Sequence, residues 1–514
     1  MAPFIVAWKM TPPDKVFSGA LINPDDLSVY LSAIRQGIEG KWLFSFAFSP
    51  EAMQSRFTYP LYIGLGYLIS LFGGEPLYWF HGFRLLCGIL TIIALYYWVR
   101  LIFPENGKIQ KTALILLSFG SGIGWILTPI IPVDSLLLTD INIPEWGLAT
   151  ALMSSPHFIL GIGLEVLLVG ILIRNEEVET SKTLILLGVL SAIGIGLAYP
   201  FHIPTLGLIT SVYLVWIAIS EKRIDWKHWL TTILILTPFL LYLLYYGITA
   251  LTDPLWETSH VQNNLIEPPP PLGLVIGSGL LGVFAVLGIK TWFRQNRTPL
   301  IPIWAAVNAL IIYLPIPFSG RFVLGLIIPI ATMAAFSLEE VILPSLRETG
   351  FFLRFSKLTP TPLETLRRVF IILTLPTTLL ISLWLIRNSI TTKDFPLYFP
   401  TDEILAVEWL GENGNEEDVV LAYYPMGNYM PRDITGKVFL GHLNLTIDLN
   451  NKIEAIEKFW DVGTSQEWRE NFLEAWDITM IYQGKYEKLL SEDVVIPPGK
   501  VVYKNDTVTI YTTP

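Results

Sequence analysis

The sequence predicts a polytopic α-helical membrane protein with a C-terminal α/β domain. Its 514 residues are 52% hydrophobic and only 15% charged, and the mean hydropathy is +0.53, which exceeds the usual composition of soluble globular proteins. Apolar runs of about 20 residues, the length that crosses a bilayer core, recur between residues 76 and 387. From about residue 395 the pattern changes to short buried strands alternating with amphipathic helices.

The apolar runs and the charges between them predict a topology. Basic residues gather in alternate connections, among them those that contain Arg100, Arg174 and Arg297. By the positive-inside rule these connections are cytoplasmic, so the segment after residue 387 is extracytoplasmic. We expect the protein in the plasma (inner) membrane. The predicted spans are 76–103, 112–131, 157–174, 183–199, 201–220, 229–248, 272–291, 300–318, 322–343 and 369–387.

Two N-terminal segments decide the count of spans. Residues 1–8 are interpreted as the remnant of a first transmembrane helix, which gives about eleven spans with the first apparently truncated. Residues 58–73 are short and rich in Tyr and Gly, and counting them as a full span would reverse the side of the first loop. We expect them to be interfacial or re-entrant, although a missed break elsewhere would also correct the count. The predicted division is 1–8, a first external loop at 9–57, a transmembrane domain at 58–394 and an extracytoplasmic domain at 395–514.

The first external loop contains an acidic pair, Asp25 and Asp26, directly before an amphipathic helical pattern. One interpretation is a reactive carboxylate held at the membrane surface. The other is a helix cap, because Asp before a helix accepts backbone N–H bonds and complements the helix dipole. The local pattern alone favours the cap.

The C-terminal region predicts one small α/β core. Helices are expected at 402–412, 449–461 and 464–475, strands at 419–423 and 478–482, and a closing hairpin at 501–511. No Gly-rich phosphate loop opens any of these helices, so no nucleotide site is predicted. The net charge of −10 gives no support to nucleic-acid binding, and the single cysteine, Cys87, excludes an intrachain disulfide.

Tyr30 follows Asp26 by four residues, interfacial helices occupy the same loop, and about eleven spans precede an external C-terminal domain. In these features the chain resembles the GT-C superfamily of integral-membrane glycosyltransferases, which includes protein O-mannosyltransferases and aminoarabinose transferases. The resemblance implies inverting transfer of a sugar from a polyprenyl-phosphate carrier to a lipid, glycan or protein acceptor at the extracytoplasmic membrane face. It also implies that Asp26 is the counterpart of the catalytic acidic residue, with Asp25 as second choice.

The leaving group in such a transfer is a lipid phosphate, whose developing charge requires cations or a bound metal. The alternative for each basic candidate is an ordinary interfacial or snorkelling side chain. Arg84 and Arg321 are the preferred candidates among the basic residues predicted near the outer face. The predicted donor phosphate-binding residues are Arg84, Arg321, Arg56, His81 and His202.

Many members of the superfamily place a second acidic residue in a later external loop. The resemblance does not choose among the second acidic or metal candidates in this chain. No His, Cys and carboxylate cluster has firm metal-ligand spacing, so no cofactor is assigned and a divalent cation is left open. These candidates are Asp134, Asp140, Glu145 and His157.

A polar stretch at 431–442 contains Arg432 and His442, which are predicted to face the acceptor. The alternative is that its glycines only form turns and His442 caps the next segment. Glu165 lies within an apolar span and supports a competing hypothesis, a secondary transporter with an intramembrane acidic coupling site. The spans show no twofold repeat of the kind from which many transporters are built. A catalytically inactive scaffold for envelope assembly is a third hypothesis.

Overall fold

The computed structural model describes residues 2–130, 137–177, 181–491, 493 and 495–513. The chain divides into two compact units, each assembled from separated stretches of sequence. The first unit contains Met1–Phe80, Ile248–Leu265 and Leu385–Pro514. The second unit contains His81–Gly247 and Ile266–Trp384.

The helices follow the apolar and amphipathic patterns of the sequence. Up to residue 252 they are α1 (Ala2–Lys9), α2 (Pro24–Ile38), α3 (Pro60–Phe72), α4 (Pro76–Ile102), α5 (Gly107–Phe119), α6 (Gly124–Leu127), α7 (Thr139–Asn142), α8 (Leu148–Ser154), α9 (Pro156–Glu177), α10 (Lys182–Ala198), α11 (His202–Glu221) and α12 (Trp226–Thr252). The remainder are α13 (Pro254–Glu257), α14 (Pro271–Arg294), α15 (Leu300–Ile311), α16 (Ile327–Ser337), α17 (Leu343–Arg347), α18 (Gly350–Phe355), α19 (Pro362–Leu373), α20 (Pro376–Thr391), α21 (Thr401–Asn413), α22 (Met426–Tyr429), α23 (Leu449–Trp460), α24 (Gln466–Ala475) and α25 (Lys485–Lys488).

Membrane-length helices dominate the middle of the chain. Within the described residues, 6 helices are long and apolar enough to span a bilayer, or up to 7 if α19 and α20, which meet at a bend of 45°, form one span. Shorter apolar helices, α3, α10 and α15, occur beside them. These helices confirm the polytopic helical architecture, while the count of about eleven spans stays a prediction. The 6 long helices are Pro76–Ile102, Pro156–Asn175, His202–Glu221, Trp226–Thr252, Pro271–Arg294 and Ser319–Arg347.

The C-terminal part of the first unit is the predicted α/β domain. Its strands are β3 (Val419–Leu421), β4 (Lys437–Val438), β5 (Met480–Gln483), β6 (Lys500–Lys504) and β7 (Thr509–Thr512). They form a five-stranded sheet in the order β4-β3-β5-β7-β6. The pairs of β3 with β4 and β5 are parallel, and β7 is antiparallel to β5 and β6. Apolar residues are buried on both faces of the sheet, so this domain has its own core.

The first loop folds together with the α/β domain, although the sequence divides them at 57 and 395. Strand β1 (Lys15–Phe17) pairs antiparallel with β2 (Tyr398–Pro400). The Val438 N–H at the edge strand β4 donates to the Ala47 carbonyl at 3.0 Å. Because these hydrogen bonds satisfy strand edges, residues far apart in sequence share one compact unit.

Residues 58–73, predicted as interfacial or re-entrant, contain α3. This helix packs closely on α2 through two glycines, Gly37 and Gly66. A Cβ atom at either position would collide with backbone atoms of the other helix. The small residues therefore permit a helix pair whose backbones approach more closely than larger side chains would allow.

Candidate active site

The acidic pair lies in the first turn of α2. Asn23, in the left-handed region with a φ of 51°, is the N-cap, and Pro24 follows it. Asp25 and Asp26 therefore lie inside the helix, and neither is the N-cap considered as the alternative. Both carboxylates remain close to the helix N-terminus, where the partial positive charge of the dipole favours ionised acids.

Asp26 is paired with His442 of the α/β domain. The Nε2 atom of His442 lies 3.2 Å from Oδ1 of Asp26. On the other side of the ring, the backbone N–H of Asn444 donates to Nδ1 at 3.2 Å. Because Nδ1 is an acceptor, Nε2 carries the hydrogen and donates a hydrogen bond to Asp26 Oδ1. The Asp26 side chain is 29% exposed while His442 is 8% exposed, so an oriented carboxylate remains accessible.

Asp25 is held by different groups. The hydroxyl of Tyr424 donates to its Oδ1 at 2.7 Å, and the Asn428 amide lies at 3.4 Å from the same atom. Burial, followed by the neighbouring Asp25 carboxylate, raises the pKa of Tyr424. Tyr424 therefore remains a neutral donor. Asp25 joins α2 to the α/β domain, and neither Tyr424 nor Asn428 was indicated by any local sequence pattern.

Arg432, predicted to face the acceptor, is buried. Its Nε donates to Ser28 Oγ at 3.1 Å, and one terminal nitrogen donates to the Ser18 carbonyl at 2.9 Å. The guanidinium lies 4.2 Å from the ring centre of Tyr429. Burial lowers the pKa of Arg432. This side chain joins α2 to the α/β domain and has little exposed surface, and its predicted contact with the acceptor stays a prediction.

Arg56 forms an ion pair with Asp253, with nitrogen–oxygen distances of 2.8 and 3.0 Å. His260, which the sequence analysis did not single out, stacks on Trp256 with ring centres 4.9 Å apart. Burial lowers the pKa of His260 to about 3, so the ring is neutral. The signal that could have found Asp253 is its position before Pro254, where an Asp commonly caps a helix.

In the second unit, Arg321 and Glu145 come together. Their side chains are 3.8 Å apart, and the Arg321 guanidinium lies 5.2 Å from the ring centre of Phe201. The Tyr199 hydroxyl donates to the backbone carbonyl of Arg321 at 3.1 Å. A phosphate-binding candidate and a second acidic candidate are therefore neighbours. The ring of another candidate, His157, lies 6.0 Å from that of Tyr199.

Asp140 is enclosed by its own unit. Its Oδ2 accepts hydrogen bonds from the Thr377 hydroxyl at 2.8 Å and from the Gly124 N–H at 3.1 Å. Burial raises the pKa of Asp140 to about 6. These contacts favour a role in holding three segments of chain together. The candidate Asp134 lies outside the described residues.

Two basic candidates are buried among helices. Arg84 is fully buried and donates to the Met153 carbonyl at 3.0 Å. His202 lies with Nδ1 at 3.6 Å from Oε1 of Glu165, and both side chains are buried. Burial places Arg84 and His202 in the helix packing, and their role in binding the donor phosphate stays a prediction. His81, one turn before Arg84 on α4, is partly exposed.

A divalent cation would need several donor side chains close together. Across the part of the chain that the structure describes, no three His, Cys, Asp or Glu side chains lie together as a metal site. A stable protein site usually needs three or four such ligands. The cation left open by the sequence therefore has no fitted set of ligands among these residues.

Comparison with known proteins gives a fold. No family model and no curated protein matches this sequence. The oligosaccharyltransferase of Archaeoglobus fulgidus, solved with a tethered acceptor peptide, superposes with a TM-score of 0.52 at 14% identity, covering 94% of this chain and 68% of that one. ArnT from Cupriavidus metallidurans, solved with undecaprenyl phosphate, gives 0.53 at 13% identity, covering 99% and 96%. This chain shares the fold of these GT-C membrane glycosyltransferases.

The shared fold confirms the architecture that the resemblance implied, a polytopic helical membrane domain with a C-terminal α/β domain. The archaeal enzyme has also been solved with an inhibitory peptide and a dolichol-phosphate, with a TM-score of 0.53 at 13% identity over 94% of this chain and 68% of that one. Another structure of it contains Zn and sulfate. At such low identity the structural similarity establishes the fold, and the chemistry depends on the residues of the site.

Proposed function

We propose that this protein is an inverting glycosyltransferase. It moves a sugar from a polyprenyl-phosphate carrier to a lipid, glycan or protein acceptor at the extracytoplasmic membrane face. The observation that carries the proposal is the partly exposed Asp26 carboxylate, oriented by the Nε2–H of His442. The fold shared with ArnT and the oligosaccharyltransferase, whose structures contain undecaprenyl phosphate and dolichol-phosphate, supports the class of donor.

In the proposed reaction, the acceptor hydroxyl oxygen attacks the anomeric carbon from the face opposite the phosphate. The hydroxyl proton passes to the Asp26 carboxylate, which acts as general base. The new bond joins the acceptor oxygen to the anomeric carbon as the bond from that carbon to the phosphate oxygen breaks. The electron pair leaves with the polyprenyl phosphate, and inversion follows from this single displacement. His442 holds the carboxylate so that its orientation is set before the acceptor arrives.

The leaving phosphate requires positive charge nearby. Arg56 belongs to the same unit as Asp26 and is the proposed contact. It is paired with Asp253, and its side chain is 19% exposed. A phosphate can therefore share or replace this carboxylate partner. Arg321, which is paired with Glu145, stays a sequence-based candidate. The buried Arg84 and His202 are less suited to contact a lipid headgroup.

Replacing Asp26 by Asn tests the proposal, because the amide preserves the shape of the side chain and removes its basicity. We expect transfer from undecaprenyl-phosphate monosaccharides in proteoliposomes to fall by about 10²- to 10⁴-fold, the usual contribution of a general base. The melting temperature should stay near that of the wild type. The measurement is release of undecaprenyl phosphate together with labelling of the acceptor fraction.

Asp25→Asn is the matched control, since the neighbouring carboxylate serves chiefly to hold Tyr424. Its loss of transfer should be much smaller. If Asp26→Asn retained activity while Asp25→Asn lost it, the base would be Asp25. A folded wild-type protein that neither transfers sugar from nor hydrolyses any of these undecaprenyl-phosphate monosaccharides would instead support the inactive-scaffold hypothesis.

A further inference from the structure

A crevice of about 1040 Å³ opens in the second unit, and no residue of the proposed site lines it. It lies among α4, α9 and α10 and the turn that follows α14. Its size is at the upper end of the range typical of small-molecule sites. The proposed transfer reaction makes no use of it.

The floor of the crevice is apolar. Trp98 and Leu101 of α4 face Val166 and Gly170 of α9, with Leu184 of α10 beside them. Gly170 widens the floor because it has no side chain. A Cβ atom there would lie 3.5 Å from Leu101 Cδ2 and 3.9 Å from Trp98, which is ordinary contact distance. This floor suits a hydrocarbon chain.

The rim of the crevice is basic. Arg100, Arg174 and Arg297 line it, against one acidic residue, Glu105, among its described lining residues. Arg297 is held in place, because one terminal nitrogen donates to the Ile102 carbonyl at 3.1 Å and the guanidinium stacks near three aromatic rings. Arg100 and Arg174 are exposed. Planar guanidinium groups that line one crevice suit the oxygens of a phosphate.

The depth of the rim decides which lipid fits. Arg100 and Arg174 lie at the ends of the membrane-length helices Pro76–Ile102 and Pro156–Asn175. The distribution of Lys and Arg predicts that these ends are cytoplasmic. Anionic phospholipids are concentrated in the cytoplasmic leaflet and attract basic residues at this level.

From the apolar floor, the three arginines and their depth, we propose that this crevice binds an anionic phospholipid of the cytoplasmic leaflet. The phosphate contacts the arginine rim, and an acyl chain lies along the floor at Gly170. Binding would stabilise the packing of α4, α9 and α10. The inference does not depend on the proposed transferase activity, because no residue of that site contributes to it.

The test is retention of phosphatidylglycerol by the full chain in phosphatidylcholine nanodiscs, measured by native mass spectrometry. The paired change Arg100→Gln and Arg174→Gln should lower the apparent affinity roughly 30-fold, which corresponds to about 1 kcal/mol for each basic residue. The control pair Lys290→Gln and Arg294→Gln removes the same charge from exposed residues of α14 that do not line the crevice. It should retain the lipid.

A second pair of variants tests the floor without changing charge. Gly170→Leu should expel the lipid by filling the floor, whereas Gly170→Ala should keep it. If the crevice pair Arg100→Gln and Arg174→Gln and the control pair Lys290→Gln and Arg294→Gln lost equal amounts of lipid, the effect would be general attraction to a basic surface. That result would overturn the site. Unchanged retention in the crevice variants would also overturn it. Displacement of phosphatidylglycerol by stoichiometric undecaprenyl phosphate would reassign the crevice to the carrier lipid.

Discussion

At the scale of single residues, His442 determines what Asp26 can do. Its imidazole accepts the Asn444 N–H through Nδ1 and donates to the carboxylate through Nε2, so one tautomer is fixed from both sides. A histidine in this position orients the Asp26 carboxylate, the proposed base, without taking its proton. The sequence-based expectation that His442 contacts the acceptor stays a prediction, and the two roles give different kinetics.

Replacing His442 by Ala separates these roles. If His442 positions Asp26, kcat should fall by up to about 100-fold, because a misplaced catalytic group loses roughly that factor. Donor hydrolysis should fall with transfer while the acceptor KM stays unchanged. His442→Gln, which retains a side-chain N–H, should recover part of the rate. A raised acceptor KM with unchanged hydrolysis would assign His442 to the acceptor instead.

At the scale of elements, α2 depends on the α/β domain for its position. Arg432 of this domain donates hydrogen bonds to Ser28 Oγ of α2 and to the Ser18 carbonyl. Further along the first loop, Glu51 Oε1 and Ser49 Oγ accept hydrogen bonds from the buried Lys452 of α23, at 2.6 and 2.9 Å. These buried charges have their hydrogen-bonding groups satisfied, so removing one partner would leave polar groups unpaired.

Arg432→Ala should therefore weaken the attachment of α2 by about 1–3 kcal/mol, the cost of leaving buried polar groups unsatisfied. Hydrogen exchange in residues 18–34 is the measurement, and faster exchange should be accompanied by equal losses of transfer and donor hydrolysis. Lys41→Ala is the matched control, because its 2.7 Å ion pair with Glu416 also joins the first loop to the domain but is solvent-exposed. Equal exchange in both variants and the wild type would contradict this role of Arg432.

At the scale of the whole molecule, the arrangement of charged connections predicts which parts face which side of the membrane. Exposed positions that the structure describes provide labelling sites in each predicted compartment. Cys87 is the single cysteine of the sequence, so its replacement by Ser supplies a background free of native thiols.

Cysteines introduced at Asp14, Gln262 and Ser465 should react with an impermeant thiol reagent from outside, because the positive-inside rule places their segments there. Cysteines at Lys108, Lys182 and Glu348 should react only after the membrane is opened. Whole-cell labelling followed by mass shift on a gel is the measurement. Exclusive cytoplasmic labelling at Asp14 would overturn both the assignment of 58–73 and the location proposed for the reaction.

The sequence by itself determined the class of protein and much of its secondary structure. Apolar runs of bilayer length indicate the membrane helices, because the hydrocarbon core tolerates few unsatisfied polar groups. Period-2 and period-3.6 patterns located the helices and strands of the α/β domain, because each pattern records which face is buried. The acidic pair could be singled out only through its resemblance to a family.

Tertiary structure alone decided which side chains meet. Asp26 and His442 are separated by 416 positions, and no local pattern links them. Hydropathy gives the depth of Arg84 and His202, but packing sets the rotation of a helix about its axis, and here that rotation buries both. The contacts between the first loop and the α/β domain also join residues far apart in sequence, so no local pattern predicts them. A sequence pattern shows that a face is buried, and only the folded chain shows which residues cover it.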